Sequence, residues 1–210
     1  MIDPDLPLAL ALVLGVVSGF RHAFEPDHLV AVSTLVDGDR QLSRSAKLGL
    51  SWGAGHTTTL VIGVLVIGLL RLPVSEGALG WFELPVGIML VGLGLWSLRD
   101  AVWPRQRAEA ATHAVRREGW AGYAVGLVHG MAGSGALLLL VAAALPTLAA
   151  GVGYALLYGL GSILGMAAVT LGLSLPLRAA RSRPLVFRGL VGLAGMLSVA
   201  LGGLLLWEVL

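Results

Sequence analysis

The chain has 210 residues, 57% of them hydrophobic and 12% charged, with 30 glycines, no cysteine and a formal net charge of +2; its mean hydropathy is +0.87. Soluble domains carry about twice that charged fraction, and apolar runs of roughly 20 residues, enough to cross a ~30 Å hydrocarbon core, recur along the whole length. The composition excludes an ordinary soluble domain, disulfides, thiolate metal sites and thiol redox relays, and no basic patch points to a nucleic-acid partner.

The N-terminal "MIDPDLPLAL" is acidic where a signal peptide needs a positive start, so the first apolar segment is expected to be retained. Six spans follow in chain order: Leu6–Val36, Lys47–Leu70, Leu84–Val102, Trp120–Leu145, Ala149–Leu175 and Gly189–Leu210. The expected fold is an all-α membrane protein, residues 1–210 forming a single transmembrane domain. Basic residues set its orientation. Arg40, Arg44 and Lys47, then Arg99, Arg105, Arg107, Arg116 and Arg117, then Arg178, Arg181, Arg183 and Arg188 sit on one side, against Arg71 on the other. By the positive-inside rule the expected location is the cytoplasmic (inner) membrane, multi-pass, with both termini outside.

The first span carries the densest ionisable cluster, "RHAFEPDH". At about 31 residues it would be about 46 Å long as straight helix, more than the membrane thickness. Pro26 is the expected break, since it cannot donate to the carbonyl of His22 and its ring clashes there. A broken helix could let His22, Asp27 and His28 converge. Ionisable groups inside a membrane are costly and mark sites or pathways by default. Two imidazoles and a carboxylate make a nitrogen/oxygen donor set suited to Ni²⁺, Co²⁺, Zn²⁺ or Fe²⁺. The alternative is that the three merely pin a kinked helix through mutual hydrogen bonds. Arg21 and Glu25 could pair with each other or with the second half.

The second span brings "GAGHTTT", with His56 as ligand, gate or packed polar residue, and Thr57 on a possible path. The fourth brings "GLVHGMAGSGALL", in which His129 and Ser134 are pathway or coupling candidates, and the fifth brings Ser162. Counted from the span edges, His28 lies about 12 Å deep and His56 and His129 about 14 Å deep. Glycines four apart, such as Gly122, Gly126 and Gly130, are expected to let helices pack closely. Trp52, Trp81, Trp96, Trp103 and Trp120 are expected mostly near span ends as interfacial anchors.

The halves can be aligned. "GFRHAFEPDHLVA" lies on "GLVHGMAGSGALL", matching His22 to His129, and "SWGAGHTTTL" lies on "LYGLGSILGM", matching His56 to Ser162. Repeat one would cover about 6–102 and repeat two about 120–210, joined by a cytoplasmic linker at 103–119. Three spans per repeat make the second copy inverted, an architecture of transporters with the site at the repeat interface.

These residues resemble the nickel/cobalt transporter family (NiCoT). His22-x4-Asp27-His28 fits its H-x4-D-H signature, and "GAGHTTTLV" resembles its second motif. The "EPDH" variant, the six spans and "HGMAGSGALLLL" resemble the short members labelled urease accessory protein UreH-like. The resemblance implies that His22, Asp27 and His28 bind the transition metal and that His56 assists. The expected function is a secondary permease for Ni²⁺, with Co²⁺ second, the ion being transported substrate and no prosthetic group being needed. Export by the same fold is the nearest alternative, with Glu25 or His129 as coupling groups. An intramembrane metalloenzyme using Glu25 as general base lacks the H-E-x-x-H pattern. A bis-histidine haem protein using His22, His56 or His129 would show itself by its absorption. The expected partners are a transition-metal ion and the lipid bilayer.

Overall fold

The computed structural model describes residues 5–36, 42–71, 80–103, 111–130, 141–142 and 145–210. In lipid every backbone polar group must find its partner within the segment, which favours helices. The described residues form α1 (Asp5–His22), α2 (Pro26–Leu35), α3 (Leu42–Leu70), α4 (Glu83–Val102), α5 (Ala111–His129), α6 (Leu148–Ala180) and α7 (Pro184–Val209). Four of them, α3, α4, α6 and α7, are long and apolar enough to cross a membrane. The described residues are all-helical in their regular structure, and the protein is a multi-pass membrane protein.

The expected first span is two helices. α1 ends at His22, and Pro26 opens α2 as its first residue, where its missing N–H removes no hydrogen bond. Glu25 is extended, as a residue before proline prefers (φ −63°, ψ 148°). The carbonyl of His22 is not orphaned: it accepts from Glu25 N at 3.0 Å, and that of Arg21 accepts from Phe24 N at 2.9 Å. The break therefore closes α1 with two tight turns. α1 packs chiefly on α6, whereas α2 leaves it for α7 and α4.

Other boundaries also differ from the expected ones. α3 starts at Leu42 rather than Lys47, and α5 starts at Ala111, inside the stretch expected to be linker. α6 runs through Pro176 to Ala180, leaving only residues 181–183 before α7. Its start is secured by Thr147, whose Oγ1 accepts from Ala150 N at 3.1 Å. Arg188 on α7 donates to the terminal carbonyls of α4, Ala101 at 2.7 Å and Val102 at 3.1 Å, satisfying acceptors that a helix end leaves over.

α3 and α6 run antiparallel along most of their length, α5 lies on α3, and α4 pairs with α7. Glycines set the crossing distances. A side chain at Gly19 would meet the Tyr158 carbonyl, and one at Gly126 would meet that of Trp52. Gly161 abuts the Val16 carbonyl, and Gly55 abuts that of Tyr123. Hydroxyls tie the same crossings: Thr59 donates to Leu127 O at 2.8 Å, Ser162 to Gly19 O at 3.2 Å, and Ser198 to Leu90 O at 2.7 Å.

The substitution Gly161→Ala forces backbone apart and is expected to destabilise the protein by about 1–3 kcal/mol. Gly92→Ala adds a Cβ that meets nothing within 4 Å and leaves stability at or slightly above that of the parent. Thermal unfolding in detergent distinguishes the two.

Candidate metal centre

The helix break places three imidazoles together from three elements. His22 closes α1, His28 lies in the first turn of α2, and His56 lies halfway along α3. One nitrogen from each lies within 4.8 Å of the others. Ring centroids are 4.3 Å apart for His22 and His28, 4.7 Å for His22 and His56, and 5.6 Å for His28 and His56. All three are buried, His28 and His56 completely.

Carboxylates stand behind two of these rings. His22 Nδ1 is 3.0 Å from Glu25 Oε2, and His28 Nδ1 is 3.1 Å from Asp27 Oδ1. Such a partner fixes the tautomer, so that Nδ1 carries the proton and Nε2 presents its lone pair. His28 Nε2 and both ring nitrogens of His56 have no hydrogen-bond partner among the described residues. Leaving a buried polar group unsatisfied costs roughly 1–3 kcal/mol, so nitrogens left over in this way among the described residues are candidates for a ligand. What the arrangement can do chemically is coordinate a divalent ion of borderline softness.

Asp27 is not gathered with His22 and His56. It forms a second trio with His28 and His129, again with one ligating atom from each within 4.8 Å. Its other oxygen, Oδ2, lies 2.8 Å from His129 Nε2. The second half has no carboxylate at this stretch, and Asp27 from the first half supplies one across the interface. His129 is fully buried at the end of α5, its ring 4.1 Å from that of His28.

The remaining candidates fall elsewhere. Thr57 donates to Gly53 O on its own helix at 2.7 Å and its methyl faces Gly159. Ser162 is the tie to Gly19 described above. Ser134 lies outside the described residues. Glu25 pairs with His22, and Arg21 is exposed on the rim of an open cleft of about 600 Å³ that His22, Glu25, Tyr154 and Tyr158 also line.

Trp52 departs from its expected place near a span end. It is fully buried beside the histidines, its ring 6.1 Å from His28 and 5.6 Å from His129. Trp81, Trp96, Trp103 and Trp120 are all exposed. Tyr158 holds a comparable position on the other side, 5.6 Å from the His22 ring. A usable signal was present: Trp52 sits four residues before His56, one turn away on the same helical face.

No protein-family model matches the chain, and no solved structure matches it. Among characterised proteins it is similar to the urease accessory protein UreH of Bacillus sp. (strain TB-90), with 31% identity over 207 residues, 94% of this chain and 91% of that one. It is also similar to two Arabidopsis thaliana proteins, chloroplast protein FOR GROWTH AND FERTILITY 2 (27% identity over 204 residues) and FOR GROWTH AND FERTILITY 1 (28% over 206). Each of those matches covers 90% of this chain but only 54% and 56% of the plant proteins. With similarity covering more than nine-tenths of both chains, the chain belongs to the family of the urease accessory protein UreH.

Proposed function

We propose that the protein is a permease that carries divalent transition-metal ions, Ni²⁺ first and Co²⁺ second, across the cytoplasmic membrane, with His22, His28 and His56 as its ligands and Asp27 orienting His28 from behind. The observation that carries this reading is the convergence of three buried imidazoles from α1, α2 and α3. His56 adds to it, buried with neither ring nitrogen hydrogen-bonded among the described residues. The donors suit several divalent ions. The resemblance to nickel/cobalt transporters and the relative named as a urease accessory protein favour nickel. That name also favours a carrier over an enzyme.

In this reading the chain crosses the membrane six times as two inverted three-span repeats. Support comes from contacts that recur under the alignment of the halves. Gly19 on Tyr158 corresponds to Gly126 on Trp52, and Gly161 on Val16 corresponds to Gly55 on Tyr123. The packing of α1 on α6 corresponds to that of α5 on α3, and α4 pairs with its counterpart α7. The site then lies where the repeats meet, and rocking one repeat against the other gives alternating access.

Import requires no nucleotide, because the membrane potential delivers about 4.6 kcal/mol to a divalent ion at 100 mV. Purified protein in vesicles is expected to take up Ni²⁺ faster under an interior-negative potential, and His22→Ala is expected to remove most of that flux. Equal uptake by the parent, the variant and empty vesicles refutes the reading.

A further inference from the structure

His28 belongs to both trios, and the permease site uses only one of them. The second consists of Asp27, His28 and His129. Asp27 lies 3.1 Å from His28 Nδ1 through one oxygen and 2.8 Å from His129 Nε2 through the other. With metal–ligand bonds of roughly 2.1 Å, neighbouring donors on one ion stand about 3.0 Å apart in an octahedral site and about 3.4 Å in a tetrahedral one. The two hydrogen-bonded pairs fall near that range and all three donors lie within 4.8 Å of one another, so an ion would replace the protons between them as the rings turn their lone pairs toward it. The Nδ1 of His129 has no hydrogen-bond partner among the described residues, although the ring is fully buried.

The trios differ in access and in charge. His22 lines the open cleft together with Glu25, so the all-imidazole trio is the one an ion meets first. His129 is fully buried and is not among the residues lining that cleft, and the buried Trp52 ring lies against it and against His28. The second trio includes a carboxylate, whereas the first offers only imidazole rings with carboxylates behind two of them.

We propose that Asp27, His28 and His129 form a second ion position, one step inward from His22, His28 and His56, and that the ion is handed from one to the other across the His28 ring. The proposal rests on the metal-transport reading above. A neutral imidazole has one lone pair at a time, so His28 serves one position or the other and the two fill in turn. Asp27 thereby becomes a direct ligand at the second position while acting behind His28 at the first. The step also gives the two repeats a chemical reason to meet here, since His129 is the ligand that only the second half contributes.

The chain contains no cysteine, so a single introduced thiolate is an unambiguous spectroscopic label. Purified full-length His56→Cys and His129→Cys are each titrated with Co²⁺, and the thiolate-to-cobalt charge-transfer band in the near ultraviolet is read. Both variants are expected to show the band, and the parent is expected to bind one Co²⁺ per chain with no such band. A band in His56→Cys with none in folded His129→Cys removes the second position and leaves the first. Two ions bound per chain at once overturns the alternate filling. A parent that binds no Co²⁺ sinks the permease site itself, a result separable from the other two. Should His129→Cys fail to fold, His129→Asp keeps a ligand there and is read by the change in the cobalt d–d spectrum, and an unchanged spectrum counts against the proposal.

Discussion

Replacing His28 with alanine is expected to lower the affinity of the purified protein for Ni²⁺ by at least about 100-fold and to abolish its uptake into vesicles. Losing an outer-shell partner alone typically weakens a site 10–100-fold, and His28 is a central group instead. Its ring lies within 4.1–5.6 Å of the other three buried histidines, and it belongs to both groups of ligating atoms. Its alanine variant leaves Asp27 facing His129 alone and His22 facing His56 without a third nitrogen. Calorimetric titration with Ni²⁺ measures the loss. Thermal unfolding of the same sample separates it from a folding defect. Parental affinity in His28→Ala would rule out the site.

Asp27→Asn is expected to reduce Ni²⁺ affinity about 10–100-fold while preserving shape. The carboxylate accepts from two rings at once, His28 at 3.1 Å and His129 at 2.8 Å. An amide has a single acceptor oxygen, so one of the two rings then faces an NH₂ group and loses its orientation. The change also removes a negative charge from beside the buried rings, where charge interactions are less screened than in water. A double-mutant cycle with His28→Ala is the sharper measurement. Because Asp27 orients His28 and shares a group of ligating atoms with it, its substitution is expected to have a smaller effect once that ring is gone. Full additivity would show that Asp27 works independently of His28.

Particular residues show why some of this was legible in advance. Pro26 marks the interruption because its geometry is local: no neighbour is needed to know that it cannot continue the helix before it. Histidine, aspartate and glutamate stand out in an apolar chain by composition alone, which is why His22, Asp27, His28, His56 and His129 could all be singled out. Span depth ranked three of them at one level, since the rise per residue of a helix is fixed. Trp52 was misplaced for the opposite reason. Tryptophan is common at membrane interfaces, and only the packing of α5 against α3 and of α2 beside them shows that this one is walled in by His28 and His129. Ser162 and Thr57 have side-chain chemistry that suits a pathway, yet their hydroxyls are spent on helix carbonyls.

The amino-acid sequence by itself determined that this is a helical membrane protein, that its first apolar segment is interrupted, and which ionisable side chains stand inside its apolar helices. Those properties depend on hydropathy, on proline's backbone and on residue type, all of which are local. Only the tertiary structure decided how those side chains are grouped. A carboxylate written beside His28 in "EPDH" reaches out to His129, 102 residues further along the chain. No spacing rule within one helix contains that information, because His129 is placed by the packing of α5 on α3 at close-approach glycines and Asp27 by the helix break before α2.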